Sequence, residues 1–490
     1  MKFASVMTGW MVAASGLLAG GADLLRFSEG DQLRGTFEGI GAGGEVNWRR
    51  DDVAAPVAFK AGGVRHVVFR DGKASPLKTL SHLGLANGDR LPGEIKSIDA
   101  DAVVLDTPYA GELRVPRDAV ALLAPNPLGG RLHYHGPFAE DEWKLLKAES
   151  PTDPAADGKV ASKPGSWVYS GAAWYWEGER GGGALYRESC MPPRSVLKFD
   201  LAWKSRLGLT LGFHLDFSKS EADEQKPAVQ RFAADLADFA RFCGNGYILQ
   251  VYPNYVMLYR CDVSKEGKPR LERFQSGNLS ARMGDSGRTN IEIRSHPERG
   301  AFMLFINGEF AMQWSEAEID KADASSRSFG NGLAFAANGE NLSMRISDIT
   351  ISEWNGVPDS ARSMESEDQD VVLMCDGVDR YSGKLGALDE NGKLVLEAKH
   401  GTFAFPIKDV AEIRFAKNRM ARKEDDGSSA SMVVRLWPIG SISGRPMSGN
   451  REKIQLKHDM LGVIGLSLES VVMLDFDGKR HIVDDWNDEF

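Results

Sequence analysis

The chain reads as a mostly β protein, with a two-sheet sandwich in the middle and a pair of small β-barrels on each side. Three observations predict this. Four weakly similar segments recur, two before and two after the central block: 25–35 closing on 64–69, 85–93 closing on 120–123, 372–383 closing on 410–415, and 434–444 closing on 471–476. Each opens with alternating apolar residues, turns at a glycine (Gly30, Gly88, Gly377, Gly440) and reaches a second (Gly35, Gly93, Gly383, Gly444), the mark of a duplicated supersecondary unit. The middle of the chain is dense in short alternating runs bounded by turn residues, and few amphipathic helical stretches compete with them.

The 490 residues exceed one domain, and 42% apolar content is ample for packed cores. Met1 and Lys2 precede an apolar stretch that ends in Ala19-Gly20-Gly21-Ala22, small residues that suit signal-peptidase cleavage before Asp23. Residues 1–22 are therefore read as a leader, and the mature chain as exported: periplasmic, cell-surface or extracellular. No later segment approaches the roughly 18 apolar residues that a membrane-spanning helix needs. The formal charge is −10, which opposes a nucleic-acid or anionic-membrane surface, since both require a basic footprint. Four cysteines are too few for a disulfide framework. Cys243 and Cys261 flank a hairpin-like stretch around Pro253-Asn254, and are either a disulfide or two buried thiols.

In chain order, 23–79 is the first barrel repeat and 80–150 the second, with a short helix expected at 140–148. The second repeat is the clearest. Asn87-Gly88 is a tight-turn signal, because both residues accept positive φ cheaply, and strand patterns follow at 94–98, 103–105, 111–115 and 120–123. Residues 151–165 and 356–370 are polar stretches without apolar period and read as linkers. Between them, 166–355 forms the sandwich; 371–425 and 426–490 are the third and fourth repeats. The pattern of a strand, a glycine turn, a strand bent at glycine and a closing strand after a short turn resembles the Sm-like barrel family. Members of that family often bind RNA. The basic and aromatic residues needed for it do not recur across the four copies, so the resemblance implies a fold and not that function.

Within the central block, strand patterns run at 174–177, 184–187, 196–203 and 209–217. Phe232, Leu236 and Phe239 stand at helical spacing, and further strand patterns follow at 248–251, 256–259 and 289–294. The runs 302–306 and 309–313 meet across Asn307-Gly308, a hairpin signal. The runs 290–294, 305–309, 332–336 and 346–351 resemble the late strands of concanavalin A-like and laminin-G-like jelly rolls. That resemblance implies glycan or protein-surface binding, or sometimes sugar hydrolysis.

Glycosidases on such sandwiches hold two carboxylates about 5–10 Å apart across the scissile bond. The strand motif Glu-x-Asp-x-x-Glu is absent, and Glu177 and Glu179 run into the turn at Arg180-Gly181-Gly182-Gly183. His214 and Asp216 are two apart and share a strand face, which offers either an acid–base pair or a hydrogen-bonded surface pair. His133 and His135 also lie two apart, but no third ligand follows at metal-site spacing. No motif calls for a cofactor. Aromatic residues are the better lead: Trp174 and Trp176 share one strand face, and Tyr252, Tyr255 and Tyr259 follow Cys243. Flat rings stack on sugar C–H faces, with Asp216, Asn254 and Arg260 as polar partners; the plain alternative is that the rings fill the core. The reading is an exported, non-enzymatic binding or envelope-associated protein whose partner is a glycan or a cell-envelope protein. The alternatives are a glycan-active hydrolase and, third, an Sm-like nucleic-acid binder, which export and acidity oppose.

Overall fold

A computed structural model describes residues 22–72, 74–146, 165–178, 183–217, 236–264, 267–275, 283, 287–318, 329–356, 366–420 and 432–476. The leader expected at 1–22 lies outside these residues except for Ala22, as do most of the two expected linkers and Phe232. The chain is mostly β, with a single α-helix, Leu236–Cys243, among the described residues.

Four five-stranded units share one strand order: fourth, third, second, first, fifth. Unit one runs from Asp23–Phe27 to Val64–Val68, unit two from His82–Leu85 to Val120–Ala124, unit three from Asp370–Met374 to Val410–Arg414, and unit four from Met432–Leu436 to Val471–Asp475. In unit two the bent second strand is split at Gly93 into Arg90–Pro92 and Glu94–Ile98. The four turn glycines all take positive φ: +97° at Gly30, +93° at Gly88, +74° at Gly377 and +130° at Gly440. At the bend, a Cβ on Gly35, Gly93, Gly383 or Gly444 would press on the carbonyl of the neighbouring strand, at Arg49, Asp106, Glu397 and Lys457 respectively. The same steric demand therefore recurs four times, which is why glycine recurs there.

The units are not separate beads. Fifth strands pair across the chain: Val67 stands opposite Leu474 and Val68 opposite Met473, joining unit one to unit four. Likewise Leu122 faces Arg414 and Leu123 faces Ile413, joining unit two to unit three. One apolar core runs through all four, with Leu25, Leu85, Val372 and Val434 among its members. A further lock joins units two and four. Asp89 accepts hydrogen bonds from the Ser443 N–H (3.0 Å) and hydroxyl (2.8 Å), from Asn87 Nδ2 (2.8 Å) and from His458 Nε2 (2.9 Å). His458 Nδ1 accepts the N–H groups of Met460 and Leu461, which leaves Nε2 to carry the proton that Asp89 receives. The two ends of the chain thus clasp into one body, and the sandwich is an insertion between units two and three.

One sandwich sheet runs Ser166–Ser170, Ala173–Glu177, Ser343–Glu353, Ser195–Lys204, Gly287–His296, Ala301–Ile306, Glu309–Ser315, with Leu132–Gly136 also paired to Ser343–Glu353. The other runs Lys144–Leu146, Ala184–Arg187, Gly332–Ala337, Leu209–Asp216, Asn245–Val251, Val256–Val263, Pro269–Arg273. Two expectations change here. The segment expected as a helix at 140–148 is a 3-10 turn, Glu140–Glu142, followed by an edge strand, Lys144–Leu146. Trp143 and Leu145 point into the sandwich core and Leu146 to the opposite side, so burial follows a period of two. Both Leu132–Gly136 and Lys144–Leu146 belong to the sandwich rather than to the second unit. The helix Leu236–Cys243 lies on the second sheet's outer face, where Phe239 and Ala240 pack with Ala184, Ile248, Ala334 and Ala336.

The clasped body meets the sandwich through Leu24, Val68, Val472 and Met473, which pack with Phe138 and Ala172. Beside that contact, His135 Nε2 lies 3.3 Å from Asp348 Oδ1, with Arg26 and His66 close by. Burial alone would raise the Asp348 pKa, but His135, His66 and Arg26 together hold it well below the usual carboxylate range.

Candidate functional site

Trp174 and Trp176 are both at 0% exposure. They sit between the sheets, Trp176 edge-on to Trp167 (5.4 Å) and Trp174 edge-on to Tyr169 (5.3 Å), so they are core and not a ligand platform. Alternation correctly puts the two rings on one face, but that face is the inner one.

His214 and Asp216 do not form a pair on one face, because the strand Leu209–Asp216 carries a bulge between them. His214 itself has φ +53°. Its ring turns inward and Nε2 lies 2.7 Å from Ser295 Oγ and 3.2 Å from Ser195 Oγ, while the two hydroxyls are 2.7 Å apart. Asp216 stays half-buried at the strand end. Serine beside histidine is the raw material of nucleophilic catalysis, but all three side chains are sealed from solvent. Burial pushes the His214 pKa down to about 3, so the ring is neutral at ordinary pH and serves as a polar bridge between the sheets.

Arg260 is buried and clasps two strands through Asp262 (3.1 Å) and Glu272. Cys243 and Cys261 are buried free thiols; the Cys261 thiol points at the Ala240 carbonyl, and burial pushes its pKa up to about 12. Such thiols are inert. His133 and His135 take separate carboxylates, Glu353 (3.1 Å) and Asp348 (3.3 Å). Among the described residues no group of three or more His, Cys, Asp or Glu is placed to hold a metal ion.

What remains is one end of the sandwich. The hairpin joining Asn245–Val251 to Val256–Val263 closes with the Tyr252 N–H donating to the Tyr255 carbonyl (3.0 Å). The closure stacks the two rings, with centroids 4.6 Å apart and planes 27° from parallel. Tyr255 is 46% exposed and Asn254 is also exposed. Asn338, just past Gly332–Ala337, donates from Nδ2 to the Tyr252 hydroxyl (2.8 Å) and fixes that ring. Partial burial, then the neighbouring tyrosines, raises the Tyr252 pKa, so the hydroxyl stays protonated and able to donate as well as accept. A flat exposed ring next to an asparagine in the same turn can stack on an apolar ligand face while the amide hydrogen-bonds the ligand. Sequence reasoning missed Asn338, because only the sheet order brings it to a hairpin more than eighty positions away.

On the outer face of the other sheet, Phe310 is exposed beside Phe305, whose ring the Arg294 guanidinium covers at 4.3 Å. Glu292 holds both Arg294 (2.7 Å) and Lys198 (3.0 Å). The signal for Phe310 was present: it stands at an outward-facing position just after the Asn307-Gly308 turn.

No protein-family model matches the chain, and no curated protein sequence does. Solved structures to which it is similar include a Bacillus subtilis protein of galectin-like fold, at 12% identity over 46% of this chain and 96% of that one, with a TM-score of 0.30. The potassium-bound carbohydrate recognition domain of Emp46p is 12% identical over 44% of this chain and 90% of its own, at a TM-score of 0.29. A sialidase is 10% identical over 69% of this chain and 34% of its own, at 0.26.

Proposed function

We propose that the protein is an exported, non-enzymatic binding or envelope-associated protein whose sandwich recognises a glycan, or a protein surface of similar chemistry, at the Tyr252–Tyr255 hairpin. In this reading the sandwich is a concanavalin A-like or laminin-G-like module, and the clasped units are Sm-like barrels used as a mount. The observation that carries it is the exposed Tyr255 ring stacked on half-buried Tyr252, which Asn338 holds in place, with Asn254 next to it in the turn. A preorganised ring loses little freedom on binding, which favours a recognition role. The Ser195–His214–Ser295 group is sealed from solvent and out of a substrate's reach, so it offers no site for turnover. Export is read from residues 1–22, and the −10 charge opposes a nucleic-acid partner.

The test is a glycan array with the purified mature chain, run beside a reducing-sugar assay. The expected result is binding without release of reducing ends, weakened about two- to tenfold in Tyr255→Ala, on the ~0.5–1.5 kcal/mol scale of an aromatic stack. Release of reducing ends would favour the hydrolase. Binding unaffected by Tyr255→Ala would remove the hairpin from the site.

A further inference from the structure

The seam between units one and four holds a cleft of about 910 Å³. Its base is closed by Phe37 and Phe69, edge to face at 5.4 Å, and by Val471, all three buried in the shared core. Of the cations around it, Arg50 is committed to Asp52 (2.5 Å) and Arg451 to Glu38. Among the described residues, Arg70 and Lys453 pair with no carboxylate, though both line the cleft and both are exposed.

Arg70 is set apart by comparison within the chain. Asp23 opens unit one and Asp370 opens unit three, and they do the same work. Asp23 accepts the N–H groups of Phe37 (3.0 Å) and Arg70 (2.9 Å); Asp370 accepts those of Leu385 (2.8 Å) and Ala416 (3.0 Å). Ala416 makes its contact at an ordinary φ of −59°, whereas Arg70 makes the matching contact at φ +50°, in the left-handed region. A non-glycine residue held there is strained, and such strain collects at functional positions. Unit one thus differs from its counterpart by a strained arginine on the wall of the cleft, with its guanidinium left without a carboxylate.

We propose that this cleft binds a ligand carrying a single carboxylate on a sugar-sized or dipeptide-sized body, with Arg70 and Lys453 on its wall receiving the carboxylate and the rest of the cleft receiving the body. The single charge follows from the lining, which also carries Asp51, Glu452 and Glu469 and so repels polyanions. The site lies in the clasped body and is independent of the Tyr252–Tyr255 reading.

The test is an NMR or calorimetric titration of the full mature chain with glucuronate, N-acetyl-alanyl-alanine, methyl glucoside and heparin. Saturable binding of glucuronate or of the dipeptide is expected, the pair telling a sugar acid from a peptide terminus, with none for methyl glucoside. Arg70→Gly, which relieves the φ and keeps the fold, and Lys453→Gln, on the surface, should each weaken it roughly tenfold or more. Binding of neither carboxylate, equal affinity in both variants, or tighter binding of heparin than of either monocarboxylate would overturn the proposal. Tyr255→Ala should leave this affinity unchanged, which separates failure here from failure of the sandwich reading.

Discussion

Replacing Gly444 by alanine tests the steric logic that repeats through the clasped body. Gly444 lies in the strand Ser441–Asn450 of unit four and is buried against the strand Lys453–His458. A Cβ there would stand 2.7 Å from the Lys457 carbonyl oxygen and 2.7 Å from Leu456 Cγ. Ordinary contact needs several tenths of an ångström more, so either the strand pair opens or Leu456, fully buried in the shared core, leaves its rotamer. Overpacking of this kind costs about 1–3 kcal/mol, and a weakened ladder hydrogen bond adds about 1, so the expected loss is about 2–4 kcal/mol. For a body of this size that lowers the melting temperature by about 4–16 °C. The control is Gly465→Ala in the same unit, where a Cβ meets nothing within 4 Å. It should leave stability unchanged or raise it slightly by stiffening the unfolded chain. Calorimetry of the full chain gives the melting shift, and hydrogen exchange at Val433 and Val434 localises it. Melting of Gly444→Ala with the unsubstituted protein, or equal damage from both substitutions, would refute a steric role for Gly444.

Other outcomes follow from the buried polar groups. Asp89→Ala leaves His458, Ser443 and Asn87 facing an empty acceptor position at the lock between units two and four. It should cost about 1–3 kcal/mol by chemical denaturation, the scale of buried donors left without an acceptor, and a loss below about 1 would show that the lock is not buried as described. Burial acts to raise the Asp89 pKa, but the hydrogen bonds from His458, Ser443 and Asn87 outweigh it and hold the carboxyl low. The lock is therefore fully present above the unfolded carboxylate range and weakens as pH falls through the folded value. Three histidines act in the same direction: burial lowers His66 well below its ordinary value, His82 to about 4 and His214 to about 3. The unfolded chain protonates near pH 6.5 while these rings stay neutral, so stability should fall from about pH 6.5 toward pH 4, by up to about 1.4 kcal/mol per pH unit for each histidine. His214→Gln should flatten that slope by one proton, and an unchanged slope would contradict the sealed bridge.

The features legible in the sequence were those fixed by local backbone demands. Positive φ at Gly30, Gly88, Gly377 and Gly440 is a one-residue requirement, and so is the bend at Gly35, Gly93, Gly383 and Gly444. The fifth strand Val471–Asp475 is apolar up to its last residue and buried throughout, whereas Val64–Val68 is equally buried while carrying Arg65 and His66, which no apolar pattern announces. Their partner could not be read, because nothing in either run says that they pair with each other across some four hundred positions. Alternation put Trp174 and Trp176 on one face but could not say which face turns inward. His214 and Asp216 were misjudged because a bulge shifts the register by a residue, and a bulge in Leu209–Asp216 has no glycine at His214 to announce it.

Units one to four form one body from the two ends of the chain. A protease site placed within residues 357–365 and cut in the folded protein tests it directly. The two pieces should co-elute on gel filtration in native buffer and separate only in denaturant, because the fifth-strand pairings and the shared core remain intact. A C-terminal piece that elutes by itself in native buffer would contradict the clasp.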